Sequence, residues 1–209
     1  MADNYLERRQ EELAQQKKIV HRSSPSLDSL LKRNRSFRGY EPSCKVSEET
    51  LKELVSVTTL VASGMNRQPL RYRLVTANAA MVHPLVKLGA ALPDEHLPHE
   101  GMEPQAYIVI CSAVPEDKIV DIDLGIAGQS ILLKAAEMGL GGIFILNFDK
   151  KEMRKVLALP LDPIAVIAIG KPAERIFLVS AEGENPNLAY YRKDGVHFVP
   201  KLSLSQILI

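Results

Sequence analysis

Between residues 32 and 40 the chain reads Lys-Arg-Asn-Arg-Ser-Phe-Arg-Gly-Tyr, so Arg33, Arg35 and Arg38 are interleaved with Asn34 and Ser36. Guanidinium forks offer charge-assisted, bidentate donors, and the serine hydroxyl adds one more. Such a set suits one small anion, a phosphate above all. A solvated basic face has the same composition, and on these residues alone both readings stand. A second stretch, ASGMNRQPLRY at 62–72, sets Ala62, Ser63 and Gly64 ahead of Asn66 and Gln68. Small residues let the backbone approach a flat ring closely, and amide side chains pair with ring carbonyls and imides. The same stretch also reads as a helix end and loop before a strand.

Other chemistries find less support. His96 and His99 stand near Glu95 and Glu100, but no third ligand is spaced to join them, which favours a polar loop over a metal site. No nucleophile elbow is present for a serine hydrolase. GLGGIFI at 139–145 lacks the GxGxxG pattern, and Gly139 follows a helix rather than opening one, so it reads as a helix terminator before a buried strand. Cys44 and Cys111 lie far apart without metal spacing, and Cys111 sits in the apolar run AYIVICSA. Lys201 alone is an ordinary surface lysine.

The elements that must position these residues are legible from periodicity. Leu6, Leu13 and Val20 mark a polar helix over 4–20, followed by a linker, HRSSPS; Leu27, Leu30 and Leu31 mark a short amphipathic helix leading into the basic cluster. Ser47 caps a helix that runs toward Gly64, and RYRLVT is a strand. Residues 78–92 are helical with a kink at Pro84, and AYIVICSA is a central strand. Asp121 or Asp123 caps a long apolar helix over 121–138 that Gly139 ends. GGIFI is a strand, Asp149 opens a short charged helix, and IAVIAIG is a further buried strand. Helices alternating with strands give an α/β or α+β class. The tail after Lys171 is too apolar for disorder yet has no core pattern of its own, so it packs on something, plausibly a second subunit.

Composition agrees with one soluble domain: 209 residues, 46% hydrophobic, 24% charged, net charge +1. That balance argues against a nucleic-acid partner, and no apolar run approaches a membrane span or a signal-peptide core. Cysteine usage points to a reducing cytoplasm.

Taken in order, the segments 32–40, 62–72, 121–145 and 165–172 (AVIAIGKP) resemble the FMN-dependent nitroreductase family, from Leu27 to the C-terminus. The resemblance implies an α+β sandwich over 27–209, preceded by the 1–26 helix and linker. It implies a central mixed sheet flanked by helices and a homodimer with a domain-swapped C-terminal arm. Arg35, Ser36 and Arg38 match the family's basic-and-serine pattern for the FMN phosphate and polar flavin edge, with Asn34 where arginine is frequent. Ala62, Ser63, Gly64, Asn66 and Gln68 match the segment that contacts the flavin ring and ribityl chain, often across the dimer; Ala62 replaces a proline and Leu70 a tryptophan. Ile145 and Leu146 would border the ring, and Lys201 would reach the phosphate. Helix 121–138 would lie at the centre of the dimer interface. The implied activity is ping-pong hydride transfer from NADH or NADPH to an electron-poor acceptor, a quinone or nitroaromatic, with no catalytic side chain. A flavin-binding redox sensor or carrier with little turnover, and an interaction protein without cofactor, are the alternatives.

Overall fold

The computed structural model describes residues 25–89, 92 and 95–209; the helix expected over 4–20 lies outside the described residues. Helix α1 (Leu27–Arg33) begins where the Ser26 hydroxyl accepts from the Ser29 N–H, and Lys32 and Arg33 sit at its negative end. Helix α2 (Glu48–Ser56) is capped in the same way by Ser47, as its sequence predicts, and buries Leu51 and Leu54. It does not run to Gly64. A 3-10 turn over Val57–Thr59 follows it, and Gly64 instead opens a second 3-10 turn, Gly64–Asn66.

Strands β1 (Leu70–Val75), β2 (Ala106–Ser112), β3 (Gly141–Ile145) and β4 (Pro163–Gly170) form one sheet in the order β1-β2-β4-β3, every pairing antiparallel. A parallel element is added at the β3 edge by an isolated bridge between Ser36 and Gly142, and the Phe37 N–H donates to the Gly142 carbonyl at 3.2 Å. Short helix α3 (Ala79–Val82) and a 3-10 turn at His83–Leu85 occupy the segment expected to be one kinked helix.

Strands β2 and β4 are buried at every position. Their side chains alternate between two cores. Tyr107, Val109, Val166 and Ala168 pack with Phe37, Tyr40 and Met153 on one face; Ile108, Ile110, Ile167 and Ile169 pack with Leu51, Leu54 and Ile131 on the other. Two-sided burial is why these strands are continuous apolar runs rather than alternating ones.

Helix α4 (Lys118–Glu137) starts earlier than expected. Its N-cap is Asp117, whose carboxylate accepts from the N–H groups of Ile119 and Val120, not Asp121 or Asp123. Gly139 ends it with φ +76°, a conformation glycine adopts without penalty. Helix α5 (Lys150–Val156) is capped by Asp149, as expected.

The tail builds a second, smaller sheet from β5 (Arg175–Ser180), β6 (Tyr191–Lys193) and β7 (Val196–Lys201), with β7 central and parallel to β5. A short helix α6 (Leu204–Ile207) follows. Phe177, Leu178, Tyr191, Leu204 and Ile207 are exposed on this unit. Among the described residues no helix is long and apolar enough to cross a membrane.

Candidate functional site

Residues 35–38 lie along the β3 edge and are tied down from several sides. Arg38 is buried; its Nε donates to the Leu88 carbonyl at 2.9 Å and its Nη1 to the Ser36 carbonyl at 3.1 Å. Its backbone N–H donates to Glu174 Oε2 at 2.8 Å. Arg35 folds back so that Nη2 donates to the Leu31 carbonyl at 2.6 Å, one of the last carbonyls of α1. One face of β7 completes the enclosure. Strand alternation puts His197, Val199 and Lys201 on the same side. These three line a cavity of about 130 Å³ with Arg35, Ser36 and Arg38, and Ile176 and Tyr190 close it.

Two buried nitrogens of this enclosure, Arg35 Nε and His197 Nδ1, have no hydrogen-bond partner among the described residues. Unpaired buried polar nitrogens are costly, and two of them around one basic cavity fit an anion as the missing partner, which Nδ1 meets as a donor when it carries a proton. Desolvation lowers the pKa of Arg35 from its ordinary value, but a guanidinium remains a cation at any working pH. His197 is also pulled below its ordinary value, by burial first and then by the charges of Arg192 and Arg38. The cavity is therefore lined by three cations and an imidazole biased toward its neutral form. The donor set fits a phosphate group.

The loop over 62–68 forms a second site, anchored on α4. Buried Asp123 accepts from Ser63 Oγ at 2.6 Å and from the Gly64 N–H at 2.8 Å. Ser63 Oγ in turn accepts from the Gln68 N–H at 2.9 Å. Met65, Asn66 and Gln68 hold φ of +53°, +53° and +47°, which side-chain-bearing residues seldom adopt. Such strain persists only where the surroundings over-determine it, and it clusters at ligand sites. Gln68 Nε2 donates to Asn66 Oδ1 at 2.8 Å. That leaves Asn66 Nδ2 as a donor and Gln68 Oε1 as an acceptor for another molecule. Ala62, Ser63 and Gln68 line a groove of about 430 Å³ with Val55, Tyr72 and Ala127.

The site residues expected from the sequence thus fall in three places within one protomer. Arg35, Ser36, Arg38 and Lys201 converge on one cavity, although Lys201 is distant from the others in sequence. Ala62, Ser63, Gly64, Asn66 and Gln68 share the strained loop, beside a different pocket. Ile145 and Leu146, at the end of β3, line neither; Ile145 is buried in the core while Leu146 is 64% exposed. Sequence reasoning missed His197, Tyr190, Glu174 and the clamp formed by Asp123. His197 had a signal in the alternation His-Phe-Val-Pro-Lys, which puts it in phase with Lys201. Asp123 had one too, as an acid within an otherwise apolar helix.

The profile of the nitroreductase family matches residues 31–171. A protein of Methanothermobacter thermautotrophicus, provisionally named an NADH dehydrogenase/NAD(P)H nitroreductase, is 30% identical over 156 residues, covering 69% of this chain and 76% of the relative. Among solved structures, a nitroreductase family protein from Streptococcus pneumoniae superposes with a TM-score of 0.62 at 16% identity, covering 88% of this chain and 99% of its own. A provisionally named nitroreductase from Desulfovibrio desulfuricans, crystallised with FMN, gives a TM-score of 0.59 at 24% identity, covering 72% of this chain and 87% of its own. At these identities the two structures establish the fold.

Proposed function

The chain belongs to the nitroreductase family, and from that premise we propose that it is a homodimeric, FMN-dependent NAD(P)H oxidoreductase that reduces electron-poor acceptors such as nitroaromatics and quinones. The observation that carries this reading is the convergence of Arg35, Ser36, Arg38 and Lys201 on one small cavity with unpaired buried nitrogens. FMN, when bound, supplies hydride transfer between NADH or NADPH and the acceptor.

The chain's own residues bind and orient. Arg35, Arg38 and Lys201 hold the phosphate, with the Ser36 hydroxyl as a further donor. Ala62, Ser63 and Gly64 allow close approach to the ring. Asn66 Nδ2 and Gln68 Oε1 match a ring carbonyl and a ring imide N–H. Ile145 and exposed Leu146 border the ring, where hydride donor and acceptor stack in turn, so turnover is ping-pong. No side chain is required as nucleophile or general acid.

In this reading the strained loop serves the phosphate cavity of the partner subunit. Ile122 and Ile126 on the outer stripe of α4, 53% and 36% exposed, and the exposed Leu204, Ile207 and Leu208 of the C-terminal arm support a dimer that buries them.

A visible spectrum of the purified protein tests the proposal. Flavin gives bands near ~450 and ~370 nm. NADH or NADPH should bleach them, and menadione should restore them. A colourless protein that takes up no added FMN overturns the reading; flavin that binds but resists NAD(P)H overturns turnover and leaves a flavin-binding redox protein.

A further inference from the structure

Resting on the phosphate site above, we propose that His197 is a direct ligand of the anion in the basic cavity and takes up a proton from solvent as a phosphate enters. In the sequence only its alternation with Lys201 marks this residue.

The geometry starts from β7. His197 lies two alternations from Lys201 on the same strand face, and both line the cavity with Arg35 and Arg38. The imidazole is 4% exposed and Nδ1 has no partner among the described residues. The ring is held on one side by Tyr190, at a centroid distance of 5.3 Å, and Arg38 Cζ stands 6.0 Å from the same Tyr190 ring. A buried imidazole that feels the charges of Arg192 and Arg38 and shares a cavity with Arg35 and Lys201 would be a poor choice for packing alone. Beside an anion it gains a charge-assisted donor.

The charged neighbours set the direction of the proton linkage. Arg192 on β6 and Arg38 in the segment after α1 act on the ring, and Arg35 and Lys201 line the same cavity. Glu174 and Glu95 oppose them, but both are engaged by Arg192, at 2.7 Å and 3.2 Å, and Glu174 also accepts the Arg38 N–H. The protein's own charges, together with burial, therefore favour neutral imidazole. A phosphate monoester brings up to two negative charges and reverses that balance, so the imidazolium becomes the favoured form and both ring nitrogens donate.

The test follows the histidine resonances of the apoprotein by NMR across pH, with and without inorganic phosphate, using His197→Gln to assign the signal. Saturating phosphate should raise the His197 midpoint by about one pH unit. In parallel, because the free midpoint lies below the ordinary histidine value, FMN should bind about two- to fourfold more weakly near pH 8 than near pH 6.5, a range in which the monoester is mostly dianionic. Riboflavin, which lacks the phosphate, should bind equally at both, and FMN binding to His197→Gln should lose its pH dependence. A midpoint unmoved by phosphate together with pH-independent FMN binding overturns the inference. So does a pH dependence that persists unchanged in His197→Gln. If phosphate moves the midpoint but FMN does not bind, His197 is an anion ligand and the flavin reading fails instead.

Discussion

Strands β4 and β7 are central in their respective sheets but live in different environments. In β4 every side chain is buried, and the strand divides two apolar cores. In β7 only His197 is buried. One face of β7 turns His197, Val199 and Lys201 to the basic cavity; the other carries Phe198, which stacks between Phe177 and Tyr191 at 6.2 Å and 5.1 Å. The first sheet is held by what it hides, whereas the second is a half-covered platform whose polar face makes a site. Stability and binding should therefore separate along the chain.

The largest effect should come from the first sheet. Ile167→Ala removes a fully buried side chain from β4 and should cost about 2–5 kcal/mol, measured by denaturant unfolding. A loss below about 1 kcal/mol would mean the two-sided core is looser than its burial indicates. Asp123→Ala tests the joint between core and site. It strands the Ser63 hydroxyl and the Gly64 N–H, and should cost about 1–3 kcal/mol while releasing the loop over 62–68. Hydrogen exchange faster at Gly64 and Gln68 but unchanged in β4 would mark that loop as the part released; uniform acceleration would make Asp123 a plain core residue. The smallest effect on stability should come from the platform. Lys201→Ala should leave the unfolding midpoint nearly unchanged and weaken FMN binding about tenfold, the scale of one lost charge-assisted contact. A destabilised protein with intact FMN affinity would erase the distinction between the sheets.

What the sequence made legible follows the same division. The buried strands and the caps at Ser47 and Asp149 are local signals, because continuous apolar runs and capping side chains act over a few residues. The start of α4 was not legible. Asp117, Asp121 and Asp123 are all plausible caps by type, and tertiary contacts decide that Asp117 caps while Asp123 is buried against the loop. The basic cluster and the strained loop could be found by residue type and by family resemblance. Their separation into two pockets of one protomer could not, since it depends on packing between elements distant in sequence. The small sheet was missed because its strands are half-exposed and pair only with one another within the tail. One local clue was present: Asp194-Gly195, with φ of +51° and +71°, forms the tight turn that joins β6 to β7.

The bridge between Ser36 and Gly142 has a consequence for solubility. β3 is an edge of the central sheet, and an open edge invites strand addition by another molecule. Ser36 and Phe37 occupy Gly142's side of that edge, and the Phe37 ring lies so close that a Cβ on Gly141 would come within 2.5 Å of it. The stretch that presents Arg35 and Arg38 is thus also a plug against edge-to-edge growth. An anion bound by those arginines would add to the contacts that hold the plug in place.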